Sequence, residues 1–253
     1  MKIGVNWKSL LGILVFVASH HAVADRKVVT DRKPLGKHGW VYSWNIYSDA
    51  GVPKAIGISV NGAAFKELPE DDMETIVLQP KAQYAIAPYK HFTLDWNPHG
   101  HEPDGIYTKP HFDYHFFFIT SAEREAITCQ DADALICTKA VPSSYIPADY
   151  APTPAGVPKM GWHFVDLKAP EFNGQPFSAT FIYGFYNGVT NFLEPMITLE
   201  YLKTKPHAEY PVRLSQNISH SGFYPQKYMV IYNHVEDTYS VVLADLLNRT
   251  SSL

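Results

Sequence analysis

A chain of 253 residues with 46% hydrophobic, 14% aromatic and 18% charged residues has the composition of a folded domain, which excludes a disordered protein. The length suits one β-rich domain or two small ones, enough to bury a substantial core. A formal charge of −4 without a basic cluster argues against nucleic acid and against anionic membrane surfaces as partners.

Lys2 and Lys8 precede an apolar run over residues 10–18, and Ala22-Val23-Ala24 stands before Asp25. A positive start, a short apolar stretch and a small-x-small site make a secretory signal peptide over residues 1–24. The run is too short to span a bilayer as a cleaved signal, with an uncleaved anchor as the alternative. The expectation is an exported protein, periplasmic or secreted, with no membrane insertion after cleavage. Cys129 and Cys137 are the two cysteines. In an exported chain a disulfide is the default for such a pair, and neither residue has the CxxC or Cys-His setting that metal ligation or nucleophilic chemistry would favour.

Residues 25–38 are polar and basic and read as a loose leader ahead of a single domain over 39–253. Residues 40–48 alternate aromatic and polar side chains, and residues 55–60 follow a turn, so the two read as paired strands. Residues 74–78, 84–87 and 92–96 continue the sheet, and 97–105 is a loop dense in turn formers. A further strand begins at His111. Ser121 is expected to cap a short helix over 121–126, and five prolines between 141 and 158 predict an extended, structureless crossing loop at the rim or lid of the domain. Strands are expected over 161–166, 177–186 and 192–199, with Gly184 marking a bulge or a close backbone approach. A terminal hairpin over 228–244 completes an all-β, or β-rich α+β, fold: an antiparallel barrel or sandwich with short helices.

The chemistry centres on Pro110-His111-Phe112-Asp113-Tyr114-His115-Phe116-Phe117-Phe118. Side chains alternate along a strand, so His111, Asp113 and His115 share one face while Phe112, Tyr114 and Phe116 take the other. His163 and Glu194 fall in strands of their own, and Glu194 in apolar company requires a partner. His111, His115, His163 and Glu194 are therefore expected to hold one divalent transition metal, zinc first, because a nitrogen-rich set does not suit magnesium or calcium. His101, Glu102 and Asp113 are the neighbours that would orient the ligands. For His163 a core histidine bonded to a carbonyl is an equal reading, and for Glu194 a buried salt bridge is the rival. His99 reads as a turn residue, and phosphate-binding glycine loops and a nucleophile elbow are absent from the sequence.

Trp96-Asn97-Pro98, Gly100-His101, Pro110-His111-Phe112-Asp113, His115-Phe116-Phe117, Met160-Gly161-Trp162-His163 and Glu194-Pro195-Met196-Ile197-Thr198 together resemble an uncharacterised bacterial family, the TTHB-type domain of unknown function, found mostly in exported proteins. The resemblance covers nearly the whole chain beyond residue 40. It implies a β-rich domain and a ring-like homo-oligomer, and no established activity. The order around His101 and His111 is also superficially like a cupin metal motif, but the glycine framing and glutamate spacing differ. The expected function is thus a metal site in a β-rich domain, with hydrolase or lyase chemistry on a small-molecule ligand and Glu194 or Asp113 as acid or base. The alternatives are a non-catalytic, oligomeric envelope-stress or metal-sequestering protein, and a structural assembly whose histidine strand packs without metal.

Overall fold

The computed structural model describes residues 25–71 and 73–253; the signal peptide expected over residues 1–24 lies outside them. Among the described residues, fourteen strands form two antiparallel sheets whose apolar faces pack together as a sandwich. The first sheet holds β1 (Arg26–Val29), β2 (Lys33–Leu35), β3 (Gly39–Tyr47), β4 (Pro53–Asn61), β12 (His207–Pro211), β13 (Gly222–Asn233) and β14 (Thr238–Arg249). The second runs in the order β5 (Glu74–Leu78), β6 (His91–Asn97), β7 (His111–Phe117), β11 (Val189–Thr198), β10 (Ala179–Tyr186), β9 (Gly161–Asp166) and β8 (Tyr150–Val157). Neither sheet closes into a barrel, so the sandwich is the form this fold takes.

Alternation drives the packing. Val41, Ile56, Ile58, Val60, Val230, Val241 and Leu243 of the first sheet meet Phe92, Leu94, Phe112, Tyr114, Phe116, Leu193 and Ile197 of the second. Each large side chain removed from water there contributes about 1.5–3 kcal/mol. Because the core takes every second residue, His91, Thr93, Asp95 and Asn97 of β6, His111, Asp113 and His115 of β7, and Glu194 of β11 all face away from the first sheet. They are nonetheless buried. A smaller apolar cluster of Tyr107, Val165, Phe177, Ile182 and Met196, with Ile106 and Phe172 against it, roofs that outer face.

Several local expectations are corrected. The leader is not loose: β1 and β2 both pair with β3, and Lys27 and Arg32 lie over Trp44 and Trp40, so main-chain pairing and cation–π contacts order it. Much of the proline-rich segment is the edge strand β8, where a missing N–H can face solvent. Its register against β9 slips between Pro152 and Gly156. Residues 84–87 form no strand. The helix α1 (Ser121–Ala126) is capped by Thr120, not Ser121: the Thr120 hydroxyl accepts from Glu123 N and the Glu123 carboxylate accepts in return, a full capping box. A second helix, α2 (Asp131–Cys137), lies inside the loop closed by the Cys129–Cys137 disulfide. A third, α3 (Leu199–Lys203), follows β11 and leads across to β12. No helix among the described residues is long and apolar enough to cross a membrane.

Candidate metal centre

Register brings the outer-face residues together. Thr93 lies opposite His115 and Asp95 opposite Asp113 across β6 and β7, while Met196 pairs with Asp113 and Ile182 with Glu194 on the other side. His163 on β9 pairs with Gly184 on β10. A Cβ at Gly184 would run into the Phe192 ring, and the β10–β11 register shifts directly after it. Both the close approach and the bulge expected at Gly184 are present. Together they let the Phe192 ring lie over the Gly184 backbone and edge-on to His163, at 5.1 Å between centroids.

Two groups of metal-ligating atoms result, each with its ligand atoms within 4.8 Å of one another: His115, His163 and Glu194, and His101, His111 and Asp113. The four residues expected to share one ion are thus divided. His111 and His115 are four residues apart, about 13 Å along a strand, and each imidazole turns to nearer partners. His101 and Asp113, expected to orient ligands, stand among the ligand atoms themselves. Glu102 turns its carboxylate to solvent and offers only its carbonyl, which accepts from His101 Nδ1 at 2.7 Å. His101 reaches the group because Gly100 adopts φ +70° where a Cβ would collide with the Tyr107 carbonyl. His99 points elsewhere, into an open groove of about 870 Å³ lined also by Lys66, Glu67, Trp96 and Lys203, which touches none of the six residues.

In the first group, His115 Nε2 lies 3.3 Å from Glu194 Oε1, and His163 Nε2 lies 3.6 Å from Glu194 Oε2. Among the described residues, His115 Nε2 and Glu194 Oε2 are buried without a hydrogen-bond partner despite this closeness. Such atoms are costly to bury unless something between them satisfies both. The opposite nitrogen of His115 faces Asp95 Oδ2 at 2.9 Å, and Asp95 in turn accepts from Thr93 and Thr75. That pins a proton on Nδ1 and turns Nε2 inward, as a carboxylate does behind a metal-bound histidine. Against its burial, the Glu194 charge and the Asp95 hydrogen bond raise the His115 imidazole, so a proton on Nε2 must leave before that atom can bind an ion. Asp95 was not singled out in the sequence; the alternation of Phe92, Leu94 and Trp96 puts it on the outer face, but only register puts it beside His115.

Burial pushes the Glu194 carboxyl up to about 8, against the pull of the nearby His115 charge and with a further push from Asp113. Burial likewise lowers His163 to about 3, helped by the charges on His115 and His101, so its imidazole is neutral. For His101, burial opposes protonation but the Asp113 hydrogen bond and charge outweigh it, raising it to about 9. Asp113 is itself held well below the usual carboxylate range, its burial overcome by the positive charges of His111 and His101 close beside it. A proton held on Glu194 below about pH 8 must leave before its carboxylate can bind an ion. Apparent metal affinity of the metal-free protein is therefore expected to rise with pH through about pH 8, with proton release on binding. Zinc titrations in buffers of different ionisation heat check this; a flat affinity over that range would contradict it.

Fold and site define an antiparallel β-sandwich with buried His/Asp/Glu groups able to hold a metal ion. Comparison with protein-family models, with curated proteins and with solved structures finds no match, so the reading of this centre rests on its own geometry.

Proposed function

We propose that this chain is an exported metal protein that holds a divalent transition ion, zinc first, on His115, His163 and Glu194, with hydrolase or lyase chemistry on a small molecule at the position those three ligands leave open. The observation that carries this reading is the convergence of two imidazole Nε2 atoms and a carboxylate with no hydrogen bonds among them, behind which Asp95 fixes the His115 tautomer. Two nitrogens and one oxygen suit zinc or another first-row ion, and three protein ligands leave a coordination position for substrate or water. Glu194 serves as ligand in this arrangement, and Asp113, the alternative acid or base, stands with His101 and His111 instead. Export is supported by the disulfide and by the signal-like first 24 residues.

Burial favours a second reading. His115 is 0% exposed and Glu194 1%, which suits an ion kept rather than turned over, as in an oligomeric metal-sequestering or envelope-stress protein. The test is metal content by inductively coupled plasma mass spectrometry on untagged mature protein, beside a His115→Ala/His163→Ala double variant. Near-stoichiometric metal lost in the double variant is expected. Absence of metal from the wild type, even after reconstitution, would refute the metal reading and leave a polar layer that packs without an ion. With metal bound, slow exchange against a chelator and no turnover of small esters or amides favour sequestration; turnover favours the enzyme.

A further inference from the structure

We propose that His101, His111 and Asp113 form a second metal position, separate from the first and reached from solvent. It goes beyond the proposed function, because it stands on different atoms and would survive a purely storage role for the first group. His111 Nδ1 lies 2.6 Å from the Lys109 carbonyl and His101 Nδ1 2.7 Å from the Glu102 carbonyl. A carbonyl only accepts, so both imidazoles carry a proton on Nδ1, and in the neutral form each turns an Nε2 lone pair toward the other. Those two Nε2 atoms face each other at 3.1 Å. Asp113 completes the triangle, with Oδ1 3.0 Å from His111 Nε2 and Oδ2 3.5 Å from His101 Nε2.

Two Nε2 atoms and a carboxylate so close need a positive centre among them, a metal ion or an extra proton. Asp113 is 3% exposed, and its Oδ1 has no hydrogen-bond partner among the described residues; Oδ2 is held by Asn97 Nδ2 at 2.7 Å. Ligands at about 2.0–2.1 Å from a tetrahedral ion stand about 3.3–3.4 Å apart. The edges of 3.0, 3.1 and 3.5 Å bracket that spacing. The position differs from the first in access. The His101 side chain is 35% exposed on its loop, whereas His115 and Glu194 are covered. The donor set, two nitrogens and one carboxylate, takes the same class of ion, a divalent first-row metal with zinc first. The rival occupant of the triangle is one extra proton shared by the two histidines.

The experiment counts ions on the full chain. Metal-stripped protein is equilibrated with buffered zinc, freed of loose metal by gel filtration and assayed for equivalents bound; cobalt, whose visible absorption reports each tetrahedral site, is run in parallel. Two equivalents are expected for the wild type, one for His101→Ala and one for His163→Ala, with half the cobalt absorption lost in each. His101 lies on a partly exposed loop, so its variant keeps the fold, which near-ultraviolet circular dichroism checks; Asp113→Asn gives the same loss without changing side-chain volume. One equivalent in the wild type, kept in His101→Ala and lost in His163→Ala, overturns the second position in favour of the proton while leaving the first intact. One equivalent lost in either variant overturns it in favour of a single shared site. No metal in the wild type overturns both this inference and the proposed function.

Discussion

Glu194→Gln is expected to fold as well as the wild type and to lose its hold on metal by at least about 100-fold. Removing a residue that merely orients a ligand costs about 10–100-fold in affinity, and removing a ligand costs more. The amide matches the carboxyl in volume. Because burial holds the Glu194 proton to about pH 8, the amide also matches the neutral form that the metal-free protein carries at pH 7. Volume-conserving changes cost less than about 1.5 kcal/mol, so the urea midpoint of the metal-free variant should nearly coincide with that of the metal-free wild type. Asp95→Ala should fall between the two, losing affinity by about 10–100-fold, since it frees the His115 ring without removing a donor. Zinc retention at wild-type strength in Glu194→Gln would remove this residue from the centre.

One residue along from His111, on the other face of the same strand, the expected effect is on stability. Phe112 is fully buried against Trp96, at 4.7 Å between centroids, and against Phe65, at 5.8 Å. Phe112→Ala should cost about 3–5 kcal/mol through lost burial and the cavity left behind. That is a large share of the roughly 5–15 kcal/mol by which domains are stable. Urea unfolding measures it as a lower midpoint at unchanged slope. A cost under about 1 kcal/mol would mean that the two sheets do not pack through this residue. The pair of results, stability lost from one face and metal lost from the other, is the signature of a strand whose alternation separates core from site.

That separation was legible in the residues themselves. The period of two in His111-Phe112-Asp113-Tyr114-His115-Phe116 sorts side chains to faces without any knowledge of neighbours, and the aromatic density marks one face as core. The strands around Trp40, Phe92, Trp162, Phe181 and Phe192 are legible in the same way, because each carries its own alternation, and so is the pairing of Cys129 with Cys137. β8 is not legible there, because prolines report a lost donor and say nothing about whether an edge position tolerates the loss. Nor are β1, β2 and β12, because short edge strands are ordered by a partner's backbone, and their own side chains carry little signal.

What sequence alone determined, then, is which residues turn away from the core: His111, Asp113, His115, His163 and Glu194 are polar at positions where neighbours on either side are apolar. What only tertiary structure decided is which of them meet. Antiparallel register sets Asp95 beside His115 and Glu194 within reach of both His115 and His163, and a loop turned by Gly100 carries His101 to His111. Alternation is a property of one strand, whereas register and loop reach depend on pairings such as His111 with Thr198, 87 positions apart, which no local pattern encodes.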